Sequence, residues 1–583
     1  MVPAVDDRLL PDGAAAYSKN AWLYSGVLSG TNEPVPLHTC SSSAMSRVYR
    51  IPNNYTDYTH LADADWLEFE DADTDVIRAP VVGDTFDRYY WASSSGPPQY
   101  NTRQRIKNGN EPFLLGVPAP SVAPVVTHSG GSSSTTSTRA YVYTWVSAYG
   151  EEGPPSPPAL VTGKQDDTFG ITLGAAASGD LGTNRNLTKT RIYRTVTATS
   201  GQATYFFVAE LAIATTTYND TNSDTAVSSN SELQSTTWTG PPSDLKGWVS
   251  MPNGMIAGFK ANEVWFCEPY RPHAWPAAYT QVVDFPVVGL GVVGQTLVVC
   301  TQGYPVAATG VNPASVSLSN LANFEPCMSR GSILSAQEGV YYASPNGIVL
   351  VSSGAAVNIT TKLITKDKWQ QLVSVGSLRA ARLAGAYYGY GAARQGVFDV
   401  GGFDNSAFTQ EDISGAMRGI LIDLSDSRVA FNLLENHVPA QCTLNDPWSG
   451  ELFVIRDGVV YWINISDANP TYESFVWRSK VFQSSDKRNF EAMKVFFDVP
   501  ATTPAQNAVR NTDPVQTLSP DQYGIVRVYA DDRLVTTREL RKSGELLRIS
   551  SGFKADFWQV ELEGRVKIKS IQIATSAKEL AGV

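Results

Sequence analysis

The densest run of ionisable side chains in this sequence is acidic: Asp63, Asp65, Glu68, Glu70, Asp71, Asp73 and Asp75 fall within one short stretch. Carboxylates at this density can hold a cation, meet a basic partner or form a solvated face. Asp71-x-Asp73-x-Asp75 begins like a calcium loop, but such a loop needs Gly at its sixth position and Glu at its twelfth. The chain has Val76 and Val82 there, so an EF-hand is ruled out. The expected role of the run is an acidic face, lining either a lumen or an interface. Gly289-Leu-Gly-Val-Val-Gly has the spacing of a dinucleotide-binding turn. That turn needs a strand before it and a helix after it, so that phosphate meets the helix N-terminus. Here Thr296-Leu-Val-Val-Cys-Thr follows and reads as a strand, so a glycine-rich β-turn is expected instead.

The remaining reactive residues are scattered. His38, His60, His128, His273 and His437 form no HxxxH pair, and His273, inside Pro-His-Ala-Trp-Pro, is expected to be a structural hydrogen-bonder. Cys40, Cys267, Cys300, Cys327 and Cys442 are odd in number with no CxxC pair, which argues against a disulfide framework and a zinc site. Reduced, buried thiols are expected. No GxSxG elbow occurs. The sequence therefore predicts no catalytic centre, no cofactor and no metal. One enzymatic alternative stays open, a pair of carboxylates brought together from distant strands for glycoside hydrolysis.

The elements that would position these residues are strands. Gly, Pro, Tyr, Ser and Thr are abundant, which favours strands joined by turns over long helices. Residues 1–116 mix short strands with irregular chain and end at Gly116-Val-Pro-Ala-Pro-Ser-Val-Ala-Pro, whose alternating prolines stiffen a boundary. In 117–238, Arg139-Ala-Tyr-Val-Tyr-Thr-Trp-Val-Ser alternates at period two, and short strands and turns follow at sandwich spacing. Residues 239–480 repeat one theme, apolar strand, Gly-containing turn, apolar strand, as in a β-propeller. One helix is expected there, Thr360 to Val373. Residues 481–583 hold a hairpin with an Asp531-Asp532 turn and two strict alternators, Asp556 to Gly564 and Val566 to Ala574. The predicted fold is all-β: a propeller-like body, an inserted sandwich, and a further β platform from the N- and C-terminal segments.

With 583 residues and a formal net charge of −11, the chain suits several domains and does not suit binding duplex DNA by releasing counterions. No stretch approaches the roughly 18 apolar residues a membrane helix needs. No basic-then-apolar leader opens the sequence, so a cytoplasmic assembly route is expected.

Several segments carry a family resemblance. Tyr149-Gly-Glu-Glu-Gly-Pro-Pro-Ser, closing the tyrosine-rich strand, resembles a fibronectin type III or immunoglobulin-like module. Leu10 to Gly26 is similar to the opening of the tail nozzle proteins of short-tailed bacteriophages, also called tail tubular protein B or the tail hub. Met251-Pro-Asn-Gly-Met-Ile-Ala-Gly-Phe, Asn262-Glu-Val-Trp-Phe-Cys-Glu-Pro, Arg271-Pro-His-Ala-Trp-Pro, Cys327 to Gly331 and Gly339 to Gly347 resemble the propeller of that family. Phe557 to Gly564 and Ala574 to Leu580 extend the match. The resemblance implies a non-enzymatic virion component, a homohexamer in the viral tail. It would dock on the head-tail adaptor, receive tail fibres or tailspikes and a needle or plug protein, and let DNA pass through its lumen without sequence-specific binding. The alternative is a receptor-binding or carbohydrate-active tail surface protein with the fibronectin-like module as spacer.

Overall fold

Along the Thr136–Ser147 strand, alternation puts Tyr141, Tyr143 and Trp145 on one face, and all three are buried in one core. The computed structural model describes the chain except residues 1–5, 11–13, 25, 55–59, 82, 197–203, 353, 373, 393–416, 425–429, 467–470, 499–522, 551 and 581–583. The fold is all-β and propeller-like, assembled largely from four-stranded antiparallel meanders. Helices are short; the longest described α-helix, Lys366–Leu372, has 7 residues. The chain separates into two compact units that do not follow chain order. One holds residues 1–72, 323–334 and 340–583; the other holds 73–322 and 335–339.

The second unit contains three described meanders and a sandwich. The first meander runs Asp75–Arg78, Arg88–Ala92, Gln99–Thr102, Phe113–Leu114. The next is Lys246–Ser250, Ile256–Lys260, Glu263–Phe266, Gln281–Val282, and the third Val287–Val293, Thr296–Thr301, Val306–Thr309, Ser317–Asn320. The Gly289-to-Gly294 motif therefore sits in a hairpin, with Gly294 at φ +57° in the turn and Val293 opposite Thr296. Because no helix follows it, no helix N-terminus faces the glycines.

In the sandwich, Val125–Ser129, Thr168–Thr172 and Thr217–Asp220 form one sheet. Ala159–Lys164, Thr136–Ser147, Leu187–Thr195 and Tyr205–Ala212 form the other, in that order. Its core joins Tyr141, Phe169, Ile171, Leu187 and Ile192. Buried in it, Asp220 accepts from Tyr141 Oη at 2.8 Å and from Arg194 Nε at 2.9 Å.

The first unit contains three further described meanders and the C-terminal strands. One comprises Val340–Ser344, Gly347–Ser352 and Ala355–Asn358. Another runs Arg379–Leu383, Ala386–Ala392, Met417–Asp423, Ala430–Leu434. The last is made of Cys442–Asn445, Leu452–Arg456 and Val459–Trp462, and its fourth strand is Val35–Thr39, from the far end of the chain. Ala15–Lys19 also returns to distant partners, pairing parallel to Ala430–Leu434 and antiparallel to Phe475–Ser479. The two C-terminal alternators enter different sheets, Ala555–Gly564 in one and Lys567–Ala574 in the other, and close a core around Phe475, Met493, Val526, Trp558 and Ile568. Asp531 and Asp532, at φ +46° and +63°, make the tight turn between Gly524–Ala530 and Arg533–Glu539, the left-handed pair such hairpins use.

The expected Thr360-to-Val373 helix is corrected. Only Lys366–Leu372 is α-helical, and Val373 lies outside the described residues. Thr360 is withdrawn from it: its buried Oγ1 accepts from Ile348 N–H at 3.0 Å and donates to Asn358 Oδ1 at 3.0 Å. Such local side-chain bonds favour a turn over a helix.

Candidate functional site

The acidic run lies on and beyond one hairpin, Arg47–Pro52 paired with Ala64–Phe69. Asp63 precedes the second strand, exposed, and accepts from Asn53 Nδ2 at 2.5 Å. Asp65 and Glu68 are half-buried and three positions apart, so they leave the strand on opposite faces. Glu70 is exposed and Asp71 half-buried just past the strand end. Asp73 and Asp75 belong to the second unit, where Asp75 opens the Asp75–Arg78 strand. The seven carboxylates are thus divided among strand faces, turns and two units. Val82, the position an EF-hand would fill with Glu, lies outside the described residues.

One of the seven enters a chemically distinct cluster. His38, in the Val35–Thr39 strand, and Cys40, two residues on, share a face. Trp66 and Glu68 share a face of the Ala64–Phe69 strand in the same way. The two pairs meet: the His38 ring stacks on Trp66 with centroids 4.6 Å apart and planes 7° from parallel, and His38 Nε2 lies 2.8 Å from Glu68 Oε1. The other carboxylate oxygen, Oε2, accepts from Ser41 N–H at 2.8 Å and Ser41 Oγ–H at 2.6 Å. Ligand atoms of His38, Cys40 and Glu68 all lie within 4.8 Å of one another. Cys40 is 8% exposed. Burial and then the Glu68 charge push its thiol up to about 11. Burial alone would push Glu68 up, but the hydrogen bonds from Ser41 and His38 outweigh it and hold the carboxyl below its ordinary range.

A second group, Glu33, His437 and Glu473, satisfies the same distance test, but its charges are already answered. Arg565 Nη1 lies 2.7 Å from Glu33 Oε1, and His437 Nδ1 lies 2.7 Å from Glu473 Oε1. A guanidinium in that position repels a cation, so this group reads as an ion-pair network. Glu473 is buried, which pushes its carboxyl up against the opposing pull of His437.

Sequence reasoning found Glu68 only as one acid among seven and missed its partners. Ligand-spacing rules look for pairs close in the chain, whereas this group joins a His-x-Cys to a Glu 30 positions from the His. The available signal was the alternation itself: two period-two pairs, each with an aromatic ring and a ligand-type side chain. Among the described residues the five cysteines are all buried and none is in a disulfide.

His273 is a buried packing residue rather than the hydrogen-bonder expected. It is 5% exposed and packs edge-on to Trp238 at 6.1 Å, but its buried Nε2 has no hydrogen-bond partner among the described residues. Desolvation is the largest influence and pushes its pKa below the ordinary value. A group depressed on folding binds its proton more readily in the unfolded chain, so folding stability falls as pH drops below about 6.5 toward the folded pKa. His273→Phe is expected to flatten that part of the stability profile, measured by urea unfolding between pH 7 and pH 5 (about those limits). An unchanged slope would place the acid sensitivity elsewhere.

No family model and no curated protein matches the chain. Among solved structures, it is similar to BBS1N from a complex with ARL6DN, with 7% identity, 51% of this chain and 88% of that one covered, and a TM-score of 0.25. It is also similar to the N-terminal domain of Nup159, with 10% identity, 47% and 85% coverage and a TM-score of 0.22. Apo AztD from Citrobacter koseri gives 11% identity, 71% and 100% coverage and a TM-score of 0.24.

Proposed function

We propose that this chain is a structural subunit of the tail nozzle of a short-tailed bacteriophage. In this reading it is a homohexameric ring below the head-tail adaptor that retains the genome and conducts it at ejection. The observation that carries the reading is where the resembling segments lie. Met251, Met255, Ala257 and Phe259 are buried together in one core, and Trp275 of Pro-His-Ala-Trp-Pro is fully buried in another. Trp558 and Leu562 sit in the C-terminal core. Those segments are packing residues, which suits a protein whose work is shape. The net charge of −11 adds to this, since an acidic wall repels DNA phosphates and lets the duplex slide without adsorbing. Tail fibres or tailspikes and a needle or plug protein complete the proposed partners.

The test is the solution mass of the purified full chain together with negative-stain images. A hexameric ring with an axial hole is expected. A monomer or trimer that binds or cleaves host polysaccharide would overturn the nozzle and favour the receptor-binding or carbohydrate-active reading.

A further inference from the structure

We infer that His38, Cys40 and Glu68 form a binding site for a divalent transition metal of the zinc class. The inference is independent of the nozzle reading. A nitrogen, a sulfur and an oxygen donor are a set that zinc accepts, and three protein ligands leave a fourth tetrahedral position for water. A carboxylate and an imidazole alone would be an ordinary ion pair. The thiol distinguishes this group: it is buried against the pair, with its sulfur among their ligand atoms.

The surroundings fix the donors. Stacking on Trp66 holds the imidazole plane. Ser41 fixes Oε2 with two hydrogen bonds and leaves Oε1 facing the histidine, the outer support that metal-bound carboxylates have. Cys40 itself is held by its N–H, which donates to Gly458 O at 2.8 Å and continues the pairing of the Val35–Thr39 strand. His38 Nε2 and Glu68 Oε1, now 2.8 Å apart, would open to about 3.3 Å around a tetrahedral ion with bonds near 2.0–2.1 Å. Side chains that are 24% and 17% exposed have room for that shift. On binding, the Cys40 S–H bond breaks, its proton leaves to solvent and a sulfur–metal bond forms, so affinity rises with pH. The ion would pin the Val35–Thr39 strand to the Arg47–Phe69 hairpin.

The test is titration of the folded full chain with Co²⁺, a spectroscopic stand-in for zinc. One ion per chain is expected, with the near-ultraviolet charge-transfer absorption that a cobalt–thiolate bond produces, bleached by added zinc. Cys40→Ser should abolish that absorption. His38→Gln and Glu68→Gln should weaken cobalt binding at least about tenfold. Glu473→Gln, in the sulfur-free group, should leave it unchanged. No charge-transfer band in the parent chain, or a band that survives in Cys40→Ser, overturns the site. If Cys40→Ser does not fold, unaltered cobalt affinity in both His38→Gln and Glu68→Gln overturns it equally.

Discussion

Asp220→Ala is expected to cost the fibronectin-like sandwich about 3–5 kcal/mol, the loss typical of breaking a buried ion pair from one side. Arg194 and Asp220 are both 0% exposed, with Nε and Oδ2 2.9 Å apart. Asp220 also accepts from Tyr141 Oη at 2.8 Å, from Asn222 N–H at 3.0 Å and from Asn222 Nδ2 at 2.9 Å. Removing the carboxylate leaves the Arg194 guanidinium inside the core with the Asn222 and Thr195 carbonyls and with Asp224, at 2.8 Å and shared with Arg139, as its remaining acceptors, and orphans the Tyr141 hydroxyl. In the parent, burial and then the Asp220 charge push the Tyr141 phenol well above its ordinary value. Hydrogen exchange on the full chain would localise the effect. Amides of Thr136–Ser147 and Leu187–Thr195 should lose protection while the C-terminal sheets keep theirs. Uniform protection across the variant would show that the network contributes nothing net.

Trp275→Ala is expected to destabilise the second unit by a similar amount, about 3–5 kcal/mol, through a cavity in its core. The indole is fully buried, stacks on Trp248 at 5.4 Å and donates from Nε1 to Pro272 O at 2.8 Å. Its cluster includes Tyr90, Tyr100 and Phe113 from the first meander and Trp248 and Ile256 from the next. The side chain is thus shared between two meanders, and its loss should loosen both. Trp275→Phe should recover part of the stability, because it keeps most of the apolar volume but not the hydrogen bond. Calorimetry of the three proteins checks the order parent, Phe, Ala; equal melting temperatures would mean that the core can collapse around the gap.

Much of the local structure was legible because period-two patterns and turn residues mark strands and hairpins. Thr136–Ser147 and Ala555–Gly564 follow from pattern as strands and Asp531–Asp532 from turn chemistry, but both strands are covered on both faces, with Val142, Val146, Gln559 and Glu561 buried too, which alternation does not report. The Gly289 motif was readable as a hairpin because the residues after it are β-branched. The helix expected from Thr360 starts only at Lys366, because the Thr360 hydroxyl bonds back to Asn358 and accepts from the distant Ile348 N–H, a pairing that the local sequence does not show. Long-range pairing was not legible. Nothing local marks Val35–Thr39 as a partner of Val459–Trp462, and the His38–Cys40–Glu68 cluster is hidden for the same reason. Each strand shows its own alternation, but the sheet neighbour is chosen by tertiary packing.

The strand borrowed from the far end of the chain has a consequence for biosynthesis. Asn32, next to it, bonds to the carbonyl of Asn464, 432 positions away. At translation rates of roughly 5–20 residues per second, this stretch waits about 20–90 seconds for its partner to leave the ribosome. During that interval it is an unpaired edge, open to pairing with a neighbouring nascent chain. Closing so large a loop also makes the step slow compared with forming each hairpin. Val35-Pro-Leu-His-Thr carries a proline, Pro36, within the strand, and a residue without an N–H to donate makes the waiting edge a poorer template for the wrong partner.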